Sequence, residues 1–430
     1  MKIIVLASGE GKRMWPIKKE KYLIPFLGKP LIYYTLEKLS KLNSSEFIII
    51  TKDSVKDEVA KVAQSLNLNH KIVVQEQFTG MDNAILCAKE EIDGEVLIVS
   101  GTDQLELNAY EGVLELAKSG AEVVLSAIMM DKYFPGGYLR VEGESVKGIV
   151  EKPGEGNEPS DLVKLVVDYF KEGKKLVEYL ENANSEKDDV YEIALDKMIS
   201  DGIDIKFVEY KGLWIPLKYP WQILDILEHL LGDIEQQISP DAKVSEKAII
   251  TGSVVIEKGA MVFEGAVIKG PCYIGKNVII GNNSMIRESN LEEGCVTGFN
   301  SDITRSYIGA NSWFHTNYIG DSVIEGDFGM GSGAVLANLR LDDHTIRVGH
   351  EDQIDSGRHK LGLIAGKGSR VGVNASTMPG ARVGSSSLVG PGVVLYGDVK
   401  DNKKVIVKQE LEESDHSPAL TSYDQFREKI

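Results

Sequence analysis

The hydrophobic positions of the first 232 residues alternate between short apolar runs and longer stretches with helical spacing. Runs of strand length, rich in Val and Ile, are KIIVLA, EFIIIT, HKIVVQ, EVLIVSG and AEVVLSAIM. Between them, PLIYYTLEKLSKL, SVKDEVAKVAQSL and MDNAILCAKEEI repeat their apolar residues at the spacing of amphipathic helices. This alternation predicts an α/β fold with a doubly wound, mainly parallel sheet. Such sheets bind ligands at the carboxyl ends of their strands.

A different period begins near residue 244, where an apolar residue recurs at every sixth position. A six-residue period matches neither a helix nor a flat strand, and it is typical of hexapeptide repeats, in which three short strands form one coil of a parallel β-helix. A β-helix can carry a functional site or serve only as a scaffold, and the repeat alone leaves both open. The repeating positions are Val244, Ile250, Ile256, Val262, Ile268, Ile274, Ile280 and Ile286, and the register returns at Val371, Thr377, Val383, Val389 and Leu395.

The change of period sets the expected domain boundaries. Residues 1–232 form the α/β domain, whose end lies in the helical connector PWQILDILEHLLGDIEQQ, and residues 233–400 form the β-helix. Residues 401–430 are polar and charged, which predicts a tail with a short terminal helix as its one candidate element.

Composition narrows the functional class. The net charge of -17 argues against a general nucleic-acid binder, because there is no basic surplus to neutralise phosphates. The cysteines, Cys87, Cys272 and Cys295, have no CxxC spacing and read as reduced thiols. No apolar stretch is long enough to span a bilayer, and KIIVLA is too short for a signal peptide. We therefore expect a cytoplasmic protein without membrane partners.

The segment SGEGKRM follows the first predicted strand and precedes helical sequence. Its glycines let backbone N–H groups approach an anion, while Lys12 and Arg13 supply positive charge. It lacks the GxxxxGK[ST] pattern of a P-loop, and an ordinary tight turn is the alternative interpretation.

Together with later segments, this loop resembles a known signature. LASGEGKRM followed by EKYLIPFLGKPLI, then QEQFTGMDNAI, EKP and GLWIPLKYPWQIL, is similar in order to the motifs of sugar-1-phosphate nucleotidylyltransferases. With a hexapeptide β-helix behind it, the chain resembles the bifunctional nucleotidylyltransferase/acetyltransferase family that makes UDP-N-acetylglucosamine, in particular its archaeal members. The resemblance implies a left-handed β-helix.

For the first domain, the resemblance implies that the phosphate of a sugar 1-phosphate attacks the α-phosphorus of UTP or dTTP and that pyrophosphate leaves. It places Gly9, Gly11 and Arg13 around the triphosphate and Lys21 on the α-phosphate. It further implies base contacts from Gln75, Gln77 and Gly80, a sugar-phosphate contact from Lys152, and a Mg²⁺ ligand in Asp103.

The first domain also departs from the family pattern. Ser8 replaces the first glycine of the signature, Lys12 a threonine and Glu20 a proline, and Asp103 stands one residue later than the family's metal ligand. In the sugar region, Lys164 and Val166 occupy the places of Asn and Gly, while the family's Glu falls on Val190, beside Glu192. Above all, the second metal-binding Asp is Pro216. We therefore expect weak or absent nucleotidylyl transfer, with Mg²⁺ binding in doubt.

For the second domain, SYIGANSWFHTNYIGDSVI and GSGAVLANLRLDD resemble the acetyltransferase segment, which makes His315, Tyr318 and Asn338 the expected catalytic set. The imidazole side chain titrates near neutral pH and so suits a general base that takes a proton from glucosamine 1-phosphate before acetyl-CoA is attacked. Arg347, Arg358 and Lys360 are the expected cations for the sugar phosphate or the trimer surface.

This domain has departures of its own. Gly329 stands for an Asn, and His344 and Arg347 stand for a Lys pair. His350 and His359 are expected to be surface groups, and no His/Cys cluster suggests zinc.

Three functions follow. The preferred one is an amino-sugar-1-phosphate N-acetyltransferase with a weakened first domain, active as a homotrimer because acetyl-CoA would lie between neighbouring β-helices. The second is a fully bifunctional enzyme. The third is a non-catalytic, sugar-nucleotide-binding partner that forms a hetero-oligomer with an active paralogue.

Overall fold

A computed structural model describes residues 1–187, 189–349, 353–417 and 427. The first domain is built on a nine-stranded sheet, and its strands are short and rich in Val and Ile, as the apolar runs predict. The strands are β1 (Lys2–Ala7), β2 (Glu46–Thr51), β3 (His70–Val74), β4 (Val96–Ser100), β5 (Val123–Met129), β6 (Gly137–Glu142), β7 (Ser145–Glu151), β8 (Leu162–Phe170) and β9 (Ile205–Tyr210).

The strand order is β3-β2-β1-β4-β8-β5-β9-β7-β6. The first four strands pair in parallel, as predicted. Strand β8 runs antiparallel to both β4 and β5, so the sheet is mixed where a mainly parallel one was expected. The cause is that the chain reaches β8 through the hairpin of β6 and β7, which reverses its direction without a crossover helix.

The three helices predicted between the strands and the predicted helical connector are confirmed, and the described residues contain three further α-helices. Helix α2 shows the reason: Val59, Val62 and Ala63 lie on one side and are buried, while its polar residues face solvent. The helices are α1 (Leu31–Leu39), α2 (Lys56–Ser65), α3 (Met81–Cys87), α4 (Leu107–Ala117), α5 (Gly173–Glu181), α6 (Val190–Ser200) and α7 (Gln222–Gly232), with 3₁₀ turns at Lys12–Met14, Lys21–Leu23, Asp53–Val55 and Lys89–Glu91.

After α7 the chain forms the predicted left-handed parallel β-helix. Ile250 pairs with Ile268, and Ile268 pairs with Ile286, so one coil contains three six-residue repeats. The apolar residue of each repeat points inward, and Ile268, Ile274 and Ile280 are fully buried. The coils turn at left-handed residues such as Gly265, whose φ is +72°.

The strands of the β-helix stack into three faces. The first contains Gln237–Ile238, Val254–Ile256, Cys272–Ile274, Asn290–Leu291, Tyr307–Ile308, Val323–Ile324, Ile364–Ala365, Arg382–Val383 and Asp398–Val399. The second contains Ile249–Thr251, Val267–Lys269, Met285–Arg287, Asp302–Thr304, Tyr318–Gly320, Val335–Leu336, Ser376–Thr377 and Val394–Leu395. The third contains Lys243–Val244, Met261–Val262, Ile279–Ile280, Gly329–Met330, Arg370–Val371, Leu388–Val389 and Lys404–Val405.

Helix α7 joins the two domains through a shared hydrophobic core. Its leucines and isoleucines pack with Met14 and Phe26 of the first domain and with Tyr307 and Ile364 of the β-helix. Burial of each such large side chain contributes about 1.5–3 kcal/mol relative to exposure. The domains are therefore held by a core, and polar contacts add to it.

Two short pairings and one excursion complete the fold. The strands Gln104–Leu105 and Trp214–Ile215 pair antiparallel beside the main sheet, as do Pro25–Phe26 and Lys29–Pro30. Between residues 339 and 361 the chain leaves the β-helix and forms a hairpin of Arg347–Val348 and Ile354–Asp355.

The regular coils continue to Val405, five residues past the boundary expected at 400. Residues 406–417 have no regular structure, and the terminal helix suggested for the tail lies, apart from residue 427, outside the described residues. No helix in the described part of the chain combines the length and apolar character needed to cross a membrane.

Candidate functional sites

The SGEGKRM loop follows β1 directly and is open at its glycines. Gly11 has φ +66° and begins the 3₁₀ turn Lys12–Met14, with the Met14 N–H donating to the Gly11 carbonyl at 2.8 Å. A side chain at Gly9 would meet no atom within 4 Å. The loop leads into short 3₁₀ turns, and the first α-helix begins only at Leu31, so the loop does not run directly into an α-helix.

Lys21 and Arg13 lie together beside this loop. The Lys21 stem packs beneath Gly11, and its ammonium donates to the Leu217 carbonyl at 3.1 Å. Burial lowers the pKa of Lys21, while the Asp103 carboxylate opposes that shift. The Arg13 guanidinium lies 5.9 Å from the centre of the Tyr219 ring. Lys21 and Arg13 therefore lie against the 214–221 segment, and we call the region where they meet the cleft of the first domain.

Asp103 faces the same cleft. Its Oδ2 accepts a hydrogen bond from the Trp214 indole at 3.1 Å, and its Oδ1 accepts one from the Thr102 hydroxyl at 3.4 Å. Ile215 pairs with Gln104 in the antiparallel ladder, and continuing that register places Pro216 opposite Asp103. The extra residue before Asp103 is accommodated, but its neighbour across the ladder carries no carboxylate.

These residues do not fit a Mg²⁺ ion held by the protein. Mg²⁺ prefers oxygen ligands in octahedral geometry, and on this ladder Asp103 supplies one carboxylate while Pro216, opposite it, supplies none. No group of three His, Cys, Asp or Glu side chains within the described ranges could hold a metal ion. The Asp103 carboxylate is placed to interact with lysines.

The three residues expected at the nucleobase come together in one loop. The Gln75 side chain is buried, and its amide donates to the Gln77 carbonyl at 2.8 Å, the Gly80 carbonyl at 3.4 Å and Asn83 Oδ1 at 2.9 Å. The amide of Gln75 therefore organises the loop from within, and Gln77 is the exposed member.

The residues expected at the sugar phosphate contain a buried ion pair. Lys152 lies beside Glu151, with an Nζ to Oε1 distance of 2.9 Å. Lys164 bonds Asp168 Oδ2 at 2.6 Å, and both side chains are buried. Burial raises the pKa of Glu192 to about 7, and the Lys164 charge opposes that rise. The charge of Lys164 is thus neutralised by Asp168 within the protein.

The segment of residues 15–28, which we call the bracing segment, connects the SGEGKRM loop to the β-helix through hydrogen bonds. Glu325 Oε1 accepts hydrogen bonds from the backbone N–H groups of Lys18, at 2.8 Å, and Lys19, at 2.7 Å. The Trp15 indole donates to Asp401 at 3.1 Å, and Arg382 lies 4.6 Å from the centre of the Trp15 ring.

At its other end, the Leu27 N–H donates to Asn290 at 3.0 Å and the Gly28 N–H to Glu292 at 3.3 Å. Lys21 thus lies in a segment that the second domain holds at both ends.

In the β-helix, the structure brings Tyr318 and Asn338 together. The Tyr318 hydroxyl donates to Asn338 Oδ1 at 3.4 Å, and the Asn338 amide donates to Asp321. Both side chains cover Gly320, where a Cβ would lie 2.4 Å from Asn338 Nδ2. Arg305 binds Asp321 with two parallel hydrogen bonds of 2.7 and 2.8 Å. No sequence motif pointed to Arg305 or Asp321.

His315 is exposed and lines a groove of about 510 Å³ on the third face. Its backbone is fixed by a hydrogen bond from its N–H to Asn317 Oδ1 at 2.7 Å and by a second one from Ser301 to its carbonyl. No hydrogen bond joins its ring to Tyr318 or Asn338 in the part of the chain that the structure describes.

Trp313 and Arg370 line the same groove, and sequence reasoning missed both. The stem of Arg370 lies over Gly329, where a Cβ would come within 2.7 Å of its Cδ. Arg370 Nη1 donates to the carbonyls of Asp327 and Ser369. Gly329, expected as the place of an Asn, therefore makes room for a cation beside His315.

The remaining expected cations lie on the excursion between residues 339 and 361. Arg347 is exposed and donates to the Gln353 carbonyl at 2.9 Å. Arg358 forms an ion pair with Asp225 of α7. Lys360 is exposed and pairs through its backbone with Leu339, next to Asn338. Arg358 thus holds the excursion against the connecting helix.

Two other histidines were expected at the surface. His359 is exposed, and its Nδ1 lies 3.0 Å from the Asp343 carbonyl. His350 lies outside the described residues.

Comparison with known proteins gives the same division into two parts. Residues 2–215 match the nucleotidyl transferase family, and residues 253–288 match the family of six bacterial transferase hexapeptide repeats. The bifunctional protein GlmU of Methanococcus vannielii is 30% identical over 425 residues, which cover 96% of this chain and 99% of that protein. The bifunctional protein GlmU of Methanocaldococcus jannaschii is also 30% identical, with coverage of 96% and 98%.

The bifunctional sugar-1-phosphate nucleotidylyltransferase/acetyltransferase of Sulfurisphaera tokodaii is 30% identical over 408 residues, with coverage of 93% and 98%. The chain therefore belongs to the family of bifunctional sugar-1-phosphate nucleotidylyltransferase/acetyltransferases.

Proposed function

We propose that the β-helix transfers the acetyl group of acetyl-CoA to the amine of an amino-sugar 1-phosphate. The observation that carries this proposal is the exposed imidazole of His315 in the wall of a groove that also presents the Arg370 cation. An imidazole is suited to proton transfer, and a guanidinium to phosphate groups such as those of CoA.

In this reaction His315 takes a proton from the substrate ammonium. The freed amine attacks the thioester carbonyl, the C–N bond forms, and the C–S bond breaks. The nitrogen then gives its second proton to the departing CoA thiolate, the proton on His315 passes to solvent, and no covalent enzyme intermediate is needed. The Tyr318 hydroxyl and the Asn338 amide are available to orient the sugar, with Arg347 and Lys360 on the adjoining excursion as cations for its phosphate.

The groove is open on one side, and we propose that a second copy of the chain closes it in a homotrimer. Acetyl-CoA would then lie between two β-helices. The exposed Trp313, with 55% of its surface accessible, is one of the apolar side chains that such contact would cover.

We further propose that the first domain binds UTP or dTTP together with a sugar 1-phosphate and joins them with release of pyrophosphate. Arg13 and Lys21 would stabilise the charge that develops on the α-phosphate. The loop of Gln75, Gln77 and Gly80 would hold the base, and Lys152 the sugar phosphate. With this reaction and acetyl transfer together, the protein would be a fully bifunctional enzyme.

A second candidate is favoured by Pro216, which faces Asp103 across the ladder. In that case the first domain binds nucleotide but turns it over slowly, and the acetyltransferase is the main activity. A chain without either activity, working as a regulatory partner of an active paralogue, is the remaining function.

The test is thiol release from acetyl-CoA with glucosamine 1-phosphate and galactosamine 1-phosphate, run beside pyrophosphate release from UTP and dTTP. His315→Ala is expected to abolish thiol release, while His359→Ala, at an exposed position outside the groove, is the matched control. Absence of thiol release by folded wild-type protein with both sugars would overturn the acetyltransferase proposal. Pyrophosphate release decides between full bifunctionality and a slow first domain.

A further inference from the structure

The cleft of the first domain contains three cations that form no direct ion pair. Across the described ranges, no carboxylate lies within ion-pair distance of Arg13, Lys21 or Lys218. By contrast, Lys52 near the cleft is paired with Glu20 at 2.8 Å. The nearby carboxylate of Asp103 acts on both lysines from beyond that distance, so three cations face one shared acid, and this excess of positive charge in a net acidic chain indicates a place where an anion binds.

Lys218 is the cation that the motifs did not predict, and it is fixed in position. Its ammonium donates to the Pro135 carbonyl at 2.9 Å and lies 3.7 Å from the centre of the Phe134 ring. The Gln222 side chain accepts its backbone N–H at 2.7 Å. Phe134 in turn packs edge-on against Trp214 at 4.7 Å. Lys218 is therefore a half-buried charge whose ammonium is held in one orientation.

The electrostatics join Lys218 to the phosphate loop. Burial lowers the pKa of Lys218 to about 8, the Asp103 charge opposes this shift, and the Arg13 charge adds to it. At pH 7 the group remains mostly protonated. The same two residues act on Lys21. Lys21 contacts the Leu217 carbonyl and Arg13 lies over the Tyr219 ring, so both cations adjoin the residues on either side of Lys218.

The residues gathered here are suited to binding phosphate groups and are not suited to coordinating a metal ion. Pro216 takes the place opposite Asp103, and two residues later in the same segment the chain supplies an ammonium. The ammonium group of a lysine neutralises a phosphate group directly, as a point charge. Carboxylate ligands, which a metal ion would need, are then not required.

We propose that Lys218 binds the phosphates of a nucleoside triphosphate or of pyrophosphate, so that this cleft holds them without a divalent cation. The nucleotide part of this inference rests on the proposed function of the first domain. The consequence is a cleft whose affinity for phosphate chains depends little on Mg²⁺.

The experiment is calorimetric binding of UTP, dTTP and inorganic pyrophosphate to the full-length protein, in EDTA and in Mg²⁺. The expected wild-type dissociation constants differ by less than about threefold between the two conditions. Lys218→Met is expected to weaken binding in EDTA by at least about tenfold, the loss of one charge-assisted contact. Lys218→Arg should retain most of the affinity.

Lys211→Met is the matched control, since Lys211 is exposed in the same part of the chain and lies 3.5 Å from Glu209. Retained thiol release by Lys218→Met would show that the variant is folded. Binding that requires Mg²⁺ in the wild type, or binding in EDTA that Lys218→Met leaves unchanged, would overturn the inference. Pyrophosphate binding without nucleotide binding would leave the phosphate site standing and overturn the proposed nucleotide function.

Discussion

The two sites of this chain handle charge in opposite ways. In the β-helix, Arg305 is neutralised by Asp321, which also holds Asn338, and the network ends in the hydroxyl of Tyr318. In the first domain, Lys21 and Lys218 are half-buried and donate to backbone carbonyls, and no carboxylate among the described residues lies within ion-pair distance of either. In the β-helix the paired charges fix side chains in place, whereas in the first domain the excess of positive charge is what we propose an anionic ligand would neutralise.

The reactions proposed for the two sites also differ in the side chains that they require. Acyl transfer to an amine needs one proton acceptor in an open groove, and His315 is exposed there. Phosphoryl chemistry needs positioning and charge stabilisation, for which several fixed cations are suited. Each mutation below is expected to affect one region and spare the other, except at the joint between them.

The largest effect is expected from His315→Ala. Loss of the general base should lower kcat for acetyl transfer by about 10²–10⁴-fold, because the ammonium is no longer deprotonated by the enzyme. Pyrophosphate release should be unchanged. Equal loss of both activities would mean that His315 supports folding and not proton transfer.

The second effect concerns the joint between the regions and depends on pH. Glu292 is 4% exposed and accepts the Gly28 N–H, and burial raises its pKa to about 7. Its contribution to folding stability is fully present below pH 4.5, where both folded and unfolded states are protonated. It is lost as the pH rises from 4.5 through 7, because the unfolded state ionises first.

The pKa rise corresponds to about 3 kcal/mol of unfolding free energy. Urea unfolding at pH 5 and pH 8 should show this loss in the wild type. Glu292→Gln should remove about half of it, because burial raises the pKa of Glu192 to about 7 as well, and Glu293→Gln, at the exposed neighbour, should remove none. A wild-type pH dependence that Glu292→Gln leaves intact would assign the titration to another group.

The third effect is expected from Lys21→Met. Removal of this ammonium from beside the SGEGKRM loop should lower kcat for pyrophosphate release by about 10²-fold, or about 2.7 kcal/mol of transition-state stabilisation. Acetyl transfer should stay within twofold of the wild type, about the precision of the assay. The sharpest contradiction would be an unchanged kcat with a raised KM, which would make Lys21 a ground-state binding residue.

The smallest effect is expected from Glu325→Ala. The backbone N–H groups of Lys18 and Lys19 would lose their acceptor, at a cost of about 1–3 kcal/mol to the ordering of the bracing segment. Pyrophosphate release should fall about tenfold through a raised KM. Glu246→Ala, at an exposed position of the β-helix, is the control. If Glu325→Ala changed neither kinetic parameter, the β-helix would not position the phosphate loop.

Much of the fold could be predicted from sequence because it follows from simple periods. The six-residue repeat sets both the inward positions and the pairing of Ile250 with Ile268. The apolar runs define five strands of the sheet. The direction of β8 could not be predicted, because it depends on a hairpin that carries no strong periodic signal.

The residues of the two sites were harder to predict from the sequence than the fold was. Motifs located Asp103 and Lys21, which do lie together. They could not locate Lys218 or Arg370, because each acts through neighbours that only the folded chain provides, Phe134 for one and Gly329 for the other. Nor could they give the Asp225 partner of Arg358, which lies on the connecting helix.

The most direct test of the two-site account is to measure thiol release and pyrophosphate release in the same preparations of wild type, His315→Ala and Lys21→Met. The account predicts that the first variant loses thiol release alone and that the second loses pyrophosphate release alone. Loss of both activities in either variant, or retention of thiol release by His315→Ala, would contradict it.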